Sequence, residues 1–131
     1  MKVGEKIIIG VQMKLDLEKI AKSYQGEEAE NFSKQMFKRV FGLNFEDTNY
    51  QAYADKENNQ VVMELVFKRA VNLNYEGMHK EYQTGDILRS AISYKHEPME
   101  IAEIFQETGL KIKKQIESSQ KDYQLIIAEA V

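Results

Sequence analysis

The sequence predicts an α+β fold, a three- to four-stranded, largely antiparallel sheet covered by one helix and followed by a C-terminal helical segment. Three patterns predict it. Apolar and polar residues alternate near the N-terminus and again around residues 49–67, as in half-buried strands. Residues 27–42 run from acids through an apolar stripe to bases and a glycine, the order a helix dipole favours. Beyond Pro98, apolar and small residues recur at intervals of three and four.

The first strand rests on Ile7, Ile9, Val11, Met13, Leu15 and Leu17, all at odd positions, against Lys6, Gln12, Lys14 and Asp16. Ile8 and Gly10 interrupt the polar face, Gly10 suggesting a bulge or a close approach to the backbone. Near Leu17 the period changes: Leu17, Ile20, Ala21 and Tyr24 share one helical face. Gly26 either caps this short helix or kinks one longer helix over residues 17–41, at a cost of about 1 kcal/mol.

In the covering helix, Glu27, Glu28 and Glu30 occupy the first turn, and Ala29, Phe32, Met36, Phe37 and Val40 make the stripe. Lys38 and Arg39 fill the last turn before Gly42. Residues 43–71 then read as a hairpin, with arms at residues 49–54 and 60–71 and a polar turn at residues 55–59. With the N-terminal strand this makes three strands, about the minimum for a sheet stable by itself. Asn72, Asn74, Gly77 and Gly85 mark loops. Residues 86–95 fit a helical face through Ile87, Leu88, Ala91 and Ile92, or a strand through Leu88, Ile92 and Tyr94. The β-branched and aromatic end of the run favours the strand.

From Pro98 onward, Ala102, Phe105, Gly109, Ile112, Ile116, Ser119, Tyr123, Ile126 and Ala130 trace a seam through four heptads, and Gly109 either ends one helix or lets two approach closely. The 131 residues suit a single domain over 1–131, with sheet and covering helix in 1–97 and the helical segment in 98–131.

Composition narrows the function. The absence of cysteine removes disulfides, thiolate zinc sites, Fe–S ligation and a cysteine nucleophile. A net charge of -3 and a pI near 5.5 argue against general affinity for phosphate backbones. No run approaches the roughly 20 apolar residues that cross a bilayer, and the N-terminus leads into a β-like run rather than a signal peptide. A cytoplasmic protein without membrane contact is expected.

The common catalytic motifs are absent: no phosphate loop, no G-x-G-x-x-G, no G-x-S-x-G and no H-E-x-x-H. His96 is followed by Glu100, Glu103 and Glu107, a pattern that a solvated acidic helix start also explains, and His79 lies in a loop. Asp47, Asp55, Glu57 and Asn59 resemble a calcium loop in composition alone, since Val66 holds the twelfth position after Asp55. Lys111, Lys113 and Lys114 read as solvated helix surface beside Glu107, Glu117 and Asp122. No metal and no cofactor are expected.

These observations predict a non-enzymatic binding or adaptor protein acting through protein contacts. The partner is a second copy of the chain or another protein, engaged through Phe105, Gly109, Ile112, Ile116, Tyr123 and Ile126. The alternative is a nucleotide or single-stranded nucleic-acid binder. It would use Arg39, Arg69 and Arg89 for phosphate and Tyr50 and Tyr53 for stacking. A third reading, hydrolysis by Asp47, Asp55 and Glu64, has no paired-acid spacing behind it.

Overall fold

In the computed structural model, which describes residues 1–13 and 16–131, helices and strands follow in the order β1 (Lys6–Gln12), α1 (Leu17–Ser23), α2 (Glu27–Phe41), β2 (Thr48–Asp55), β3 (Gln60–Phe67), β4 (Val71–Tyr75), β5 (Met78–Tyr82), β6 (Ile87–Tyr94), α3 (Pro98–Glu107), β7 (Leu110–Glu117) and β8 (Tyr123–Ala130). The chain is mostly sheet, 46% strand against 27% helix, and the strands form three sheets. This corrects the predicted fold of one sheet, one covering helix and a helical C-terminus. The described residues divide into two units, one over Met1–Leu15 and Lys95–Val131, the other over Asp16–Tyr94.

The first unit holds an antiparallel sheet in the order β1-β8-β7. Ile7, Ile9, Val11, Leu110 and Ile112 pack with buried Met13, Ile126 and Ala128 against Ile101 and Phe105 of α3. Lys14 and Leu15, counted in the N-terminal alternation, lie outside the described residues. The predicted C-terminal helix is correct only for its first ten residues. Pro98 stands in the first turn, and a capping box closes between Glu97 and Glu100. The helix then stops at Thr108, and Gly109 takes a φ of 69°, a left-handed conformation that turns the chain into β7. Period two replaces the heptads beyond it: Leu110 and Ile112 point inward while Lys111 and Lys113 point outward. A register shift at Ile112/Lys114 then turns the outer part of β7. Three lysines, Lys111, Lys113 and Lys114, therefore stand along the edge of this sheet and not on a helix surface.

The second unit begins with α1, whose Asp16 side chain accepts from the amides of Glu18 and Lys19. Gly26 separates α1 from α2 and occupies the position just before α2, so the chain forms two helices and not one kinked one. The predicted stripe of α2 is rotated. Ser33, Lys34 and Phe37 are buried, whereas Phe32, Met36 and Val40 are 75%, 41% and 44% exposed. Lys34 explains part of the rotation: its ammonium donates to the carbonyls of Phe45 and Thr48 at 3.0 and 2.9 Å and pairs with Glu30 at 2.7 Å. Three charge-assisted bonds satisfy a buried cation that an apolar-stripe argument sends outward.

The hairpin β2–β3 forms with Asp55 pairing with Gln60 across the expected turn, but its return arm ends at Phe67 and Val71 opens β4 instead; β6 adds to β3 as a third strand. Residues predicted as loop form a second hairpin, β4–β5, turning at Glu76 and Gly77, both at positive φ. Leu65 and Phe67 of β3 pack with Phe37, Leu43 and Leu73 in the core of this unit, flanked by Phe41, Tyr50, Tyr82 and Leu88. The rings of Phe67 and Tyr82 stack at 4.3 Å. Among the described residues, no helix is long and apolar enough to cross a membrane.

Candidate buried-carboxylate site

The sheet β2-β3-β6 has two dissimilar faces, because alternate residues of each strand point opposite ways. Tyr50, Leu65 and Leu88 belong to the core face. The opposite face carries Gln51 and Tyr53 from β2, Val62 and Glu64 from β3, and Arg89 and Ile92 from β6, which a bulge opposite Met63/Glu64 brings onto one face. The register places Gln51, Glu64 and Arg89 in one row and Tyr53, Val62 and Ile92 in the next.

Glu64 is the centre of this face. It is 3% exposed, and a buried carboxylate needs donors around it. Gln51 Nε2 donates to Oε2 at 2.9 Å, the Tyr53 hydroxyl donates to Oε1 at 3.0 Å, and Arg89 reaches the same oxygen at 3.4 Å through Nε and Nη2. Burial, then the bond to Glu64, hold the Tyr53 phenol above its ordinary pKa, so it stays a proton donor. The Arg89 contacts are long for a charge-assisted pair, which closes to about 2.7–2.9 Å when well formed. Its guanidinium is half exposed. A carboxylate and a loosely held guanidinium in one row complement a zwitterion, cation toward Glu64 and anion toward Arg89.

Of the five residues predicted to bind a nucleotide, the structure brings together only Tyr53 and Arg89. Tyr50, three positions from Tyr53, is on the core face and donates its hydroxyl to the Tyr24 carbonyl at 2.7 Å. Arg69 pairs at 2.6 Å with Asp47, which is 4% exposed, and Arg39 sits exposed in the last turn of α2. Gln51 was not among the predicted site residues, although the hairpin register places it opposite Glu64 once Asp55 is paired with Gln60.

The predicted interface residues lie in the other unit. Phe105 and Ile126 are buried, Ile112 packs on that core, and Ile116 and Tyr123 remain 43% and 47% exposed. The acids of the hydrolytic reading are engaged separately: Asp55 accepts from Asn58 and Gln60 in the hairpin turn, Asp47 pairs with Arg69, and Glu64 lies in mid-sheet. His79 contacts Asn74 and Glu81, and His96 lies 3.8 Å from Glu100. Among the described residues no three histidine or acidic side chains converge as a metal site would require.

Over residues 1–130 the chain matches the family described as histidine-specific, SAM-dependent methyltransferases, and it belongs to that family. No curated protein matches it. The family overturns the non-enzymatic adaptor role expected from the sequence and points to an enzymatic function. That expectation rested on missing local motifs, whereas the family match extends along nearly the whole chain and needs no short spacing.

The two hollows described within the units do not fit the family's cofactor. One recurrent nucleoside site is the crevice at the carboxyl ends of parallel strands, with a glycine-rich turn into a helix and an acid for the ribose hydroxyls, and neither unit builds it in its described residues. All strand pairings among the described residues are antiparallel, and their single parallel contact is the bridge between Met13 and His96. A cleft of 210 Å³ in the second unit has Lys80 as its charged side chain. A shallower hollow of 400 Å³ in the first unit has Lys111. A lysine repels a sulfonium, and neither lining supplies an acidic side chain.

Proposed function

We propose that this chain serves SAM-dependent methylation of histidine by holding the methyl acceptor and not the cofactor. The observation that carries this reading is the row Gln51, Glu64, Arg89, a buried carboxylate beside a half-exposed guanidinium on the sheet face opposite the core. Family membership supplies the acceptor class. Histidine offers an α-carboxylate for the Arg89 fork and an ammonium or imidazole N–H for Glu64, and Tyr53 presents a ring edge and hydroxyl beside them. Formation of the complex trades the long Glu64–Arg89 contacts for two better ones, which limits the desolvation cost.

Calorimetric titration of the chain with L-histidine and, separately, with SAM tests this. Saturable histidine binding without SAM binding is expected, and Glu64→Gln and Arg89→Ala each weaken it about tenfold or more, the loss of one charge-assisted partner. Binding of SAM but not histidine overturns the reading, as does histidine binding that neither substitution changes.

A further inference from the structure

A second feature of the Asp16–Tyr94 unit lies away from Glu64. The C-terminal half of α2 and the β4–β5 hairpin enclose an apolar cleft of 210 Å³, floored by Leu73 and Leu88 and walled by Phe41, Tyr75 and Tyr82. Its rings are already arranged edge to face and face to face. Phe41 and Tyr75 meet at 5.5 Å and 69°, and Phe37 stacks on Phe41 at 5.7 Å and 19°. Strand alternation points Met78, Lys80 and Tyr82 of β5 into the cleft, opposite Tyr75, Leu73 and Val71 of β4. His79, Glu81 and Asn74 stand on the other side of the hairpin and bond to one another.

Lys80 gives the cleft its sign. Its ammonium lies 5.8 Å from the Tyr82 ring centre, and among the described residues no carboxylate pairs with it. A cation whose partner is a ring face keeps its hydrogen-bond donors directed at whatever enters beside that ring. The volume suits one ring: an apolar protein cavity of about 150 Å³ takes up benzene.

We propose that this cleft is a binding site for a small monocyclic aromatic carboxylate, its ring between Phe41, Tyr75 and Tyr82 and its carboxylate on Lys80. The site is separate from the Glu64 row and does not depend on the acceptor reading. It has the features of a small-molecule site, an apolar concavity with one convergent charged group.

Methyl-resolved NMR with phenylacetate as the probe, and phenylacetamide as its uncharged isostere, tests it. Phenylacetate is expected to shift the Met78 and Leu73 methyl signals saturably. Lys80→Gln, an exposed-position change that leaves the core intact, weakens phenylacetate about three- to tenfold and leaves phenylacetamide unchanged, as one partly solvated charge contact implies. Tyr82→Ala weakens both probes, whereas Glu64→Gln affects neither, so failure here is distinguishable from failure of histidine binding. The proposal is overturned if phenylacetate produces no saturable shift, or if Lys80→Gln leaves phenylacetate binding unchanged or weakens both probes equally.

Discussion

Tyr123 lies across Gly10. On the β8–β1 ladder Gly10 pairs with Leu125 and Gln12 with Tyr123, so the tyrosine leans two residues along β1 and covers the backbone that the glycine leaves bare. A Cβ built at Gly10 overlaps the Tyr123 hydroxyl and comes within 2.7 Å of its Cζ. The break in the N-terminal alternation is thus a close side-chain approach in an unbroken ladder, and not a bulge.

Gly10→Ala is accordingly expected to destabilise the protein by about 1–2 kcal/mol through overpacking, at the low end of such costs because Tyr123 can swing outward. Pairing it with Tyr123→Leu should cost less than the two single changes added, since the same clash is removed from both sides. Urea midpoints of the four proteins in this cycle check the coupling.

Glu64→Ala should cost about 1–3 kcal/mol, for it leaves Gln51 and Tyr53 donors without their acceptor on a partly covered face. Glu64→Gln keeps the size and one acceptor and should cost less. Thermal melts in low and high salt separate the two, with the wild type losing little at high salt because Arg89 is already half solvated.

Stability should fall in alkali from about the ordinary tyrosine value of 10.0 upward. Burial raises the Tyr50 pKa in the folded chain, so the unfolded chain loses the proton first and folding is penalised as pH rises through the folded value. Tyr50→Phe should flatten part of that limb of a pH–stability curve followed by circular dichroism, the raised Tyr53 phenol supplying the rest, while lowering stability at neutral pH by about 1 kcal/mol for the bond to Tyr24.

In acid the sign is opposite. Bonds from the Asn58 and Gln60 side chains hold Asp55 below its ordinary 3.8, so its contribution is present above that value and lost as pH falls through the lowered one. Asp55→Asn should remove this part of the acid limb, which a denaturation series between pH 2 and pH 5 would reveal.

Gly109→Ala should destabilise by about 1–2 kcal/mol although nothing lies within 4 Å of the added methyl. The cost is conformational, because a φ of 69° is poor for a residue with a Cβ. Gly109→Asn should cost visibly less, since asparagine tolerates that region, and chemical denaturation of both variants checks the order.

Where one period runs cleanly between distinct ends, the sequence was enough to read the element. β1, the helical stretches on either side of Gly26 and the β2–β3 hairpin fall where alternation, the acid-to-base order and the turn at residues 55–59 put them, whereas residues 86–95 fit two periods and the sequence leaves the break at Gly26 open. The C-terminus misled because spacings of three and four skip residues in a way that matches inward positions on two different strands: Ile112 and Ile126 meet across one core though no helix joins them. β4 and β5 are short and polar on their outer side, with asparagines that read as turns. Their loss from the sequence reading also hid the cleft around Lys80. The Glu64 site was half legible: Tyr53, Glu64 and Arg89 were each noticed, but they converge only through three-strand register, which pattern alone does not fix.

The lysine-bearing border of β7 has a consequence for how copies of this protein behave in a crowded solution. A second chain approaching the outer strand β7 meets the exposed Lys111 and Lys114, while Lys113 reaches back to Glu129 of β8 at 3.5 Å, and the displaced register at Lys113 offers no straight template. Salt shortens the reach of that repulsion to about 8 Å at physiological strength, so neutralising Lys111 and Lys114 is expected to leave this border readier to take on a foreign strand.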